Sequence, residues 1–180
     1  MPPSDWPPLI LALGFVVLQR LAELALARRN TRRLLAQGGR EYGAGHYPLF
    51  ILLHASWLAA IAISVPLATQ PVWPLIGIYG LLQLLRVWII ATLGRFWTTR
   101  IITLDHQPLV RRGPFRVLRH PNYWVVAAEI LVLPLAFGAW PVALIWSVLN
   151  ALLLRHRIGI EEAALQPRHA IACRSSSEAA

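Results

Sequence analysis

Two short stretches carry the residue types best suited to chemistry: RHPNYW, Arg119 to Trp124, and RIGIEEAAL, Arg157 to Leu165. In the first, Pro121 suits the opening turn of a helix, where a missing N–H costs nothing. It also holds His120 in an extended conformation. The free N–H groups of such a turn, with Arg119 beside them, make an anion site that fits a carboxylate or a phosphate. In the second stretch, Arg157 and Glu161 are four residues apart and share a helix face, with the acid C-terminal to the base, the weaker order for a helical ion pair. The adjacent acids Glu161 and Glu162 form a carboxylate pair suited to a cation. Plainer alternatives stand beside these readings. RHPNYW also fits an interfacial helix start with Arg119 reaching to the headgroups. Arg157–Glu161 also fits a surface pair worth ~0.2–0.5 kcal/mol.

A ligand with both a carboxylate and cationic groups satisfies both stretches at once. S-adenosylmethionine, with its α-carboxylate, α-ammonium and sulfonium, is such a ligand. Tyr123, Trp124 and Trp97 offer aromatic faces to a sulfonium.

The two stretches must then be brought together, and the apolar patterning says how. Only 14% of the 180 residues are charged, against about 25% in a soluble domain. Apolar runs cover residues 7–27, 49–67, 72–93, 122–137 and 140–154. The first three approach the ~20 residues that cross a bilayer core, and the last two are short for a crossing. The expected fold is an all-α integral membrane protein of about five transmembrane helices. A connector from Gly94 to Pro121 and a helical extension after the fifth run complete it. The basic residues number seventeen, all arginine. They cluster after runs one, three and five. The positive-inside rule then puts the N-terminus outside and the C-terminus and both stretches in the cytoplasm. Runs four and five form a tight hairpin, so RHPNYW and RIGIEEAAL should meet at one cytoplasmic mouth.

The chain reads as one domain over residues 1–165, with its catalytic part at about 95–165 and a poorly ordered tail at 166–180. A net charge of +9 does not imply nucleic acid, because the arginines alternate with membrane runs and no recognition motif is present. A lone cysteine, Cys173, permits neither an internal disulfide nor a Cys-rich metal site. The N-terminus lacks the basic n-region of a cleaved signal peptide.

QPLVRRGPFRVLRHPNYW followed by RIGIEEAAL resembles the isoprenylcysteine carboxyl methyltransferase family, in motif order and in spacing. The resemblance extends over Arg95 to Leu165. The RN and HYP segments of the N-terminal half are similar to those of bacterial members. The resemblance implies an integral membrane methyltransferase that uses S-adenosylmethionine without a Rossmann domain, in a bacterial inner membrane. It implies cofactor contacts at Gln107, Pro108, Leu109 and Val110, at His120, Pro121, Asn122 and Tyr123, and at Glu161, with Glu162 completing the carboxylate pair. It implies a substrate-side role for Arg157. The chain departs from the family at Gln107, where eukaryotic members often carry histidine. It departs also at Phe115, where tyrosine is common, and at Val125, where glycine is usual.

The expected reaction is methyl transfer to a carboxylate or hydroxyl of a lipophilic or prenylated acceptor reached through membrane lipid. A carboxylate acceptor needs no base and fits Arg157. A hydroxyl acceptor needs a proton acceptor, for which His120 is the candidate. Two alternatives remain: a membrane reductase using NADPH, with a 2′-phosphate near Arg111 and Arg112, and a non-enzymatic subunit or transporter. Arg20, Glu23, Arg86 and Glu129 lie in or near the spans. The first three lie near cytoplasmic ends, where side chains can snorkel, and structural pairing is expected for them; Glu129 stands evenly between structural pairing and substrate contact. His46 and His54 lack a third ligand in a familiar spacing, so polar packing is expected there and no metal.

Overall fold

The structure is a computed structural model that describes residues 6–104, 107 and 110–177, with 166–177 as backbone only. Pro108 and Leu109 lie outside the described residues.

The described residues form five α-helices: α1 (Pro8–Ala36), α2 (Tyr47–Ser64), α3 (Trp73–Leu93), α4 (Pro121–Ala136) and α5 (Trp140–Ser177). The first four begin with proline in the opening turn, where the fixed φ favours initiation and no hydrogen bond is lost. Four segments are long and apolar enough to cross a membrane: Pro8–Ala36, Ala44–Ser64, Trp73–Phe96 and Trp140–Leu165. α4 is a shorter apolar helix, about 24 Å long at 1.5 Å per residue. The protein is thus an all-α, multi-pass membrane protein.

The peripheral helices bury narrow stripes and leave the rest to lipid. α1 buries Leu9, Val16, Glu23 and Asn30, one side chain every seventh residue, while Leu11, Phe15, Leu18 and Leu21 are exposed. α2 buries Leu53, Trp57 and Ile61. α4 is the central helix, with Val125, Val126, Glu129, Ile130 and Leu133 all buried. The α4–α5 hairpin closes on Gly138 in the left-handed region (φ 74°). Its amide donates to the Leu135 carbonyl, and that of Ala139 to Pro134, at 3.0 and 2.9 Å. This is the αL helix stop that glycine permits.

Two features differ from the expected outline. α1 continues through RRNTRR, because Asn30 donates from Nδ2 to the carbonyls of Gly94 and Trp97 at 3.0 and 2.9 Å and packs that end against the connector. Two short strands, β1 (Arg40–Tyr42) and β2 (Ile101–Thr103), pair antiparallel with Arg40 opposite Thr103 and Tyr42 opposite Ile101. They join the α1–α2 loop to the connector. The structural pairing expected of Arg20, Glu23 and Arg86 is present, and the two arginines do not snorkel. They turn inward onto Glu129, which is fully buried. Arg20 Nη2 lies 2.5 Å from Glu129 Oε2. Arg86 donates from Nε to Oε1 at 2.9 Å and from Nη2 to Oε2. Gln83 donates to Oε1 at 2.8 Å. Glu23 receives Arg20 at 2.8 Å and Arg86 at 3.3 Å. Two arginines and two glutamates therefore cancel inside the bundle, as buried charges must. For Glu129 this settles the choice in favour of pairing.

Candidate active site

The two chemical stretches meet at the arginine-bearing end of the bundle. α4 begins at Pro121, so His120, Asn122 and Tyr123 stand at its mouth-facing end. α5 runs unbroken from its span into RIGIEEAAL, and this brings Arg157, Glu161 and Glu162 beside them. The centre of the cluster is the Tyr123 hydroxyl. It accepts from Arg157 Nε at 2.7 Å and donates to Glu161 Oε2. Arg157 and Glu161 thus do not form the direct helical pair that their spacing allows; a tyrosine from the neighbouring helix stands between them.

Arg157 is held from several sides. Its Nη2 donates to the Thr99 carbonyl at 2.9 Å. Its guanidinium lies over the Phe50 ring at 5.2 Å and the Tyr123 ring at 5.8 Å. It is 8% exposed. Its Nη1 has no hydrogen-bond partner among the described residues, so it keeps donors for an anion. His120 stacks on Tyr123, with centroids 5.4 Å apart and an interplanar angle of 16°. Its Nδ1 lies 4.0 Å from Glu161 Oε2 and its Nε2 3.6 Å from Glu162 Oε1. A proton taken by this imidazole would find a carboxylate on either side.

Asn122 Oδ1 is buried without a partner among the described residues. An orphan acceptor of this kind calls for a donor that a ligand can bring. Of the first-turn amides, that of Tyr123 bonds back to the His120 carbonyl at 3.1 Å, so the anion site at this helix start is narrower than a fully free turn. The Glu161 and Glu162 side chains are 25% and 53% exposed, open to a cationic ligand. Orphan acceptor and carboxylate pair together suit the ammonium and sulfonium of S-adenosylmethionine, and the unspent guanidinium suits an anionic acceptor.

A second group lies on the connector. Gln107 and Val110 line a cleft of about 680 Å³ with Leu93, Phe96, Arg95 and Arg111, beside the end of α3. Gly113 holds this connector close: its φ is +56°, and a Cβ there would lie 2.9 Å from Thr92 Oγ1. Of the three aromatics expected at the mouth, Tyr123 alone contacts the α5 cluster. Trp97 is buried in a core group with Ala27, Ile89 and Val125, and Trp124 is 68% exposed.

Sequence reasoning missed Thr99 and Phe50, which hold Arg157 by a backbone carbonyl and a ring face. Phe50 lies one helical turn after His46 in the HYP-bearing stretch, which was the available signal. His46 packs edge-on to Phe50 and His156, at 6.0 and 5.7 Å, and His54 Nδ1 lies 2.8 Å from the Phe50 carbonyl.

The chain is 37% identical over 160 residues to the uncharacterized protein YpbQ of Bacillus subtilis, covering 87% of this chain and 95% of that one. It is 28% identical over 153 residues to an uncharacterized protein of Haemophilus influenzae, covering 81% and 88%. No solved structure matches. The profile of the isoprenylcysteine carboxyl methyltransferase family matches residues 75–167, a segment that contains α4, the connector and the whole α5 cluster. With more than half of its length inside that match, the chain belongs to the isoprenylcysteine carboxyl methyltransferase family, a family of membrane methyltransferases.

Proposed function

We propose that the protein is an S-adenosylmethionine-dependent O-methyltransferase. Its acceptor is a lipophilic compound, small or prenylated, bearing a carboxylate or hydroxyl. Its arginine-rich mouth faces the cytoplasm of a bacterial inner membrane, with the N-terminus outside. The observation that carries this reading is the convergence of Arg157, Tyr123, Glu161 and His120 from the two helices that hold the family's motifs. When bound, the cofactor supplies an electrophilic methyl group on a sulfonium.

The chain's own residues divide the remaining work. Glu161 and Glu162, with the Asn122 side-chain oxygen, attract and orient cationic and N–H groups. Gln107 and Val110, with Pro108 and Leu109 of the same segment, contact the cofactor from the connector side. Pro121 fixes the start of α4 and so the position of Asn122 and Tyr123. Arg157, anchored on Thr99 and Tyr123, turns its remaining N–H groups toward the acceptor and aligns an oxygen for in-line attack. A carboxylate acceptor reacts as the anion and needs only that alignment. A hydroxyl acceptor loses its proton to His120, beside Glu161 and Glu162.

The test is calorimetry of S-adenosylmethionine with the detergent-purified protein, beside Glu161→Ala and an NADPH control. Binding that is lost in the variant supports the proposal. No binding by a folded protein, with an acceptor-like lipid present, overturns it. NADPH binding instead would assign the cleft at Arg111 and Arg112 to a reductase. Binding of neither would leave a non-enzymatic membrane subunit.

A further inference from the structure

A basic turn with an apolar tip lies between the cleft and the mouth, and the proposed chemistry does not use it. Pro114 is buried, and Phe115 packs against the core group of Ile89, Trp97 and Val125. Arg112 Nη2 donates to the Thr92 carbonyl at 3.3 Å. With Gly113 pressed on Thr92, these contacts anchor one side of the turn to α3. The other side is left outward. Val117 is 85% exposed and Leu118 42%, and Arg111, Arg112, Arg116 and Arg119 around them are all exposed. Among the described residues, none of these four arginines has an acidic partner.

The depth of this turn is marked independently. A Cβ at Gly113 would lie 3.4 Å from the Trp88 indole nitrogen. Trp88 and Trp124 are 54% and 68% exposed on the flanking helices. Exposed tryptophans at the ends of spans sit at headgroup level. An apolar pair projecting at that level, ringed by guanidinium groups without an acidic partner among the described residues, matches the acyl boundary below and anionic phosphates above.

We propose that residues 111–119 are a lipid-docking surface: Val117 and Leu118 enter the acyl boundary, and the arginines bind the headgroups of anionic phospholipids. Arg116, Val117, Leu118 and Arg119 lie outside the cleft that Arg111 and Arg112 share with Gln107 and Val110, and the segment joins α4 through His120, so lipid charge bears on the position of the mouth.

The test uses a nitroxide at Val117→Cys in a Cys173→Ser background of the full chain, because Cys173 is the only native cysteine. The protein is placed in nanodiscs of phosphatidylcholine with increasing phosphatidylglycerol. The spin label should become more accessible to oxygen than to a water-soluble nickel chelate as phosphatidylglycerol rises. In Arg116→Gln and Arg119→Gln backgrounds, half-maximal immersion should need roughly fivefold more anionic lipid for each arginine removed. A label that stays aqueous at every composition overturns the proposal. So does a label immersed equally with and without phosphatidylglycerol, which would mean apolar insertion without headgroup recognition.

Discussion

Removing one oxygen atom, in Tyr123→Phe, tests the organisation of the site more sharply than removing either charge. Among the described residues, the hydroxyl is the only bridge between Arg157 Nε, at 2.7 Å, and Glu161. Hydrogen bonds to charged groups are worth about 1.5–3 kcal/mol each. Arg157 is nearly buried, so water replaces its lost partner poorly. The Glu161 side chain is 25% exposed, so water replaces part of that bond. The net loss should then be about one such bond, roughly 1.5–3 kcal/mol. Without the bridge, Arg157 and Glu161 are free to form the direct i,i+4 contact that the hydroxyl interrupts, and the carboxylate turns away from a bound cation. If Glu161 binds the cofactor, affinity should fall roughly 10- to 100-fold. The ring remains to stack on His120 and Arg157, so the stability cost is that one bond, and at roughly 2–4 °C per kcal/mol the melting temperature should fall by about 3–12 °C. Calorimetry beside a thermal melt reads both quantities. Affinity within twofold of the parent, in a folded variant, would refute the reasoning that Tyr123 orders the pair. Arg157→Lys gives the companion result: an ammonium cannot span the Thr99 carbonyl and the Tyr123 hydroxyl with the guanidinium's geometry, so transfer to the acceptor should fall more than cofactor affinity.

Other expectations concern the frame. Glu129→Gln leaves Arg20 and Arg86 facing one carboxylate in the bundle interior; breaking a buried ionic cluster costs about 3–5 kcal/mol. At roughly 2–4 °C per kcal/mol for a chain of this size, melting should drop by about 6–20 °C, measured by intrinsic fluorescence. Gly43→Ala should destabilise the mouth, because φ is +62° and the new Cβ would lie 2.5 Å from His46 and 2.9 Å from Ile160 of α5; a thermal melt and cofactor calorimetry should both register it. Arg100→Gln should be nearly neutral in the same melt, within about 1 kcal/mol, since its pair with Glu41 lies at the surface with the arginine side chain 43% exposed.

The elements that bury apolar side chains in runs were legible from sequence alone. The bounds of α3 and α4 fall within a residue of the apolar runs, because a span has only one composition. The continuation of α1 was not legible, because Asn30 is held by carbonyls of Gly94 and Trp97, more than sixty residues away. The strands were missed because three residues are too few to show alternation. At the site, the motif residues could be read from type and spacing, and the hairpin brought them together as expected. The Tyr123 bridge could not be read. Spacing on α5 favoured a direct Arg157–Glu161 pair, and only the packing of α4 against α5 shows what stands between them. Thr99 acts through a backbone carbonyl, which leaves no mark on a sequence, and Phe50 through a ring face whose one signal was its place a turn after His46.

The charge cluster and the site belong to one argument, and α4 is the link. A helix of about 24 Å is shorter than the ~30 Å hydrocarbon core. Hydrophobic matching therefore sets its depth only weakly. Something else must fix how far Asn122 and Tyr123 rise toward Glu161, since a shift of one turn would carry the hydroxyl about 5 Å away. Glu129 lies six residues beyond Tyr123, about 9 Å along the axis. It is clasped by Arg20 from α1 and by Gln83 and Arg86 from α3. Moving α4 in either direction would strip these bonds from a carboxylate with no water to replace them. The buried charges thus cost desolvation and return a fixed register. On this account, the depth of the α4 mouth is set from inside the membrane by polar contacts, and the short apolar helix is long enough because it does not have to find its own level.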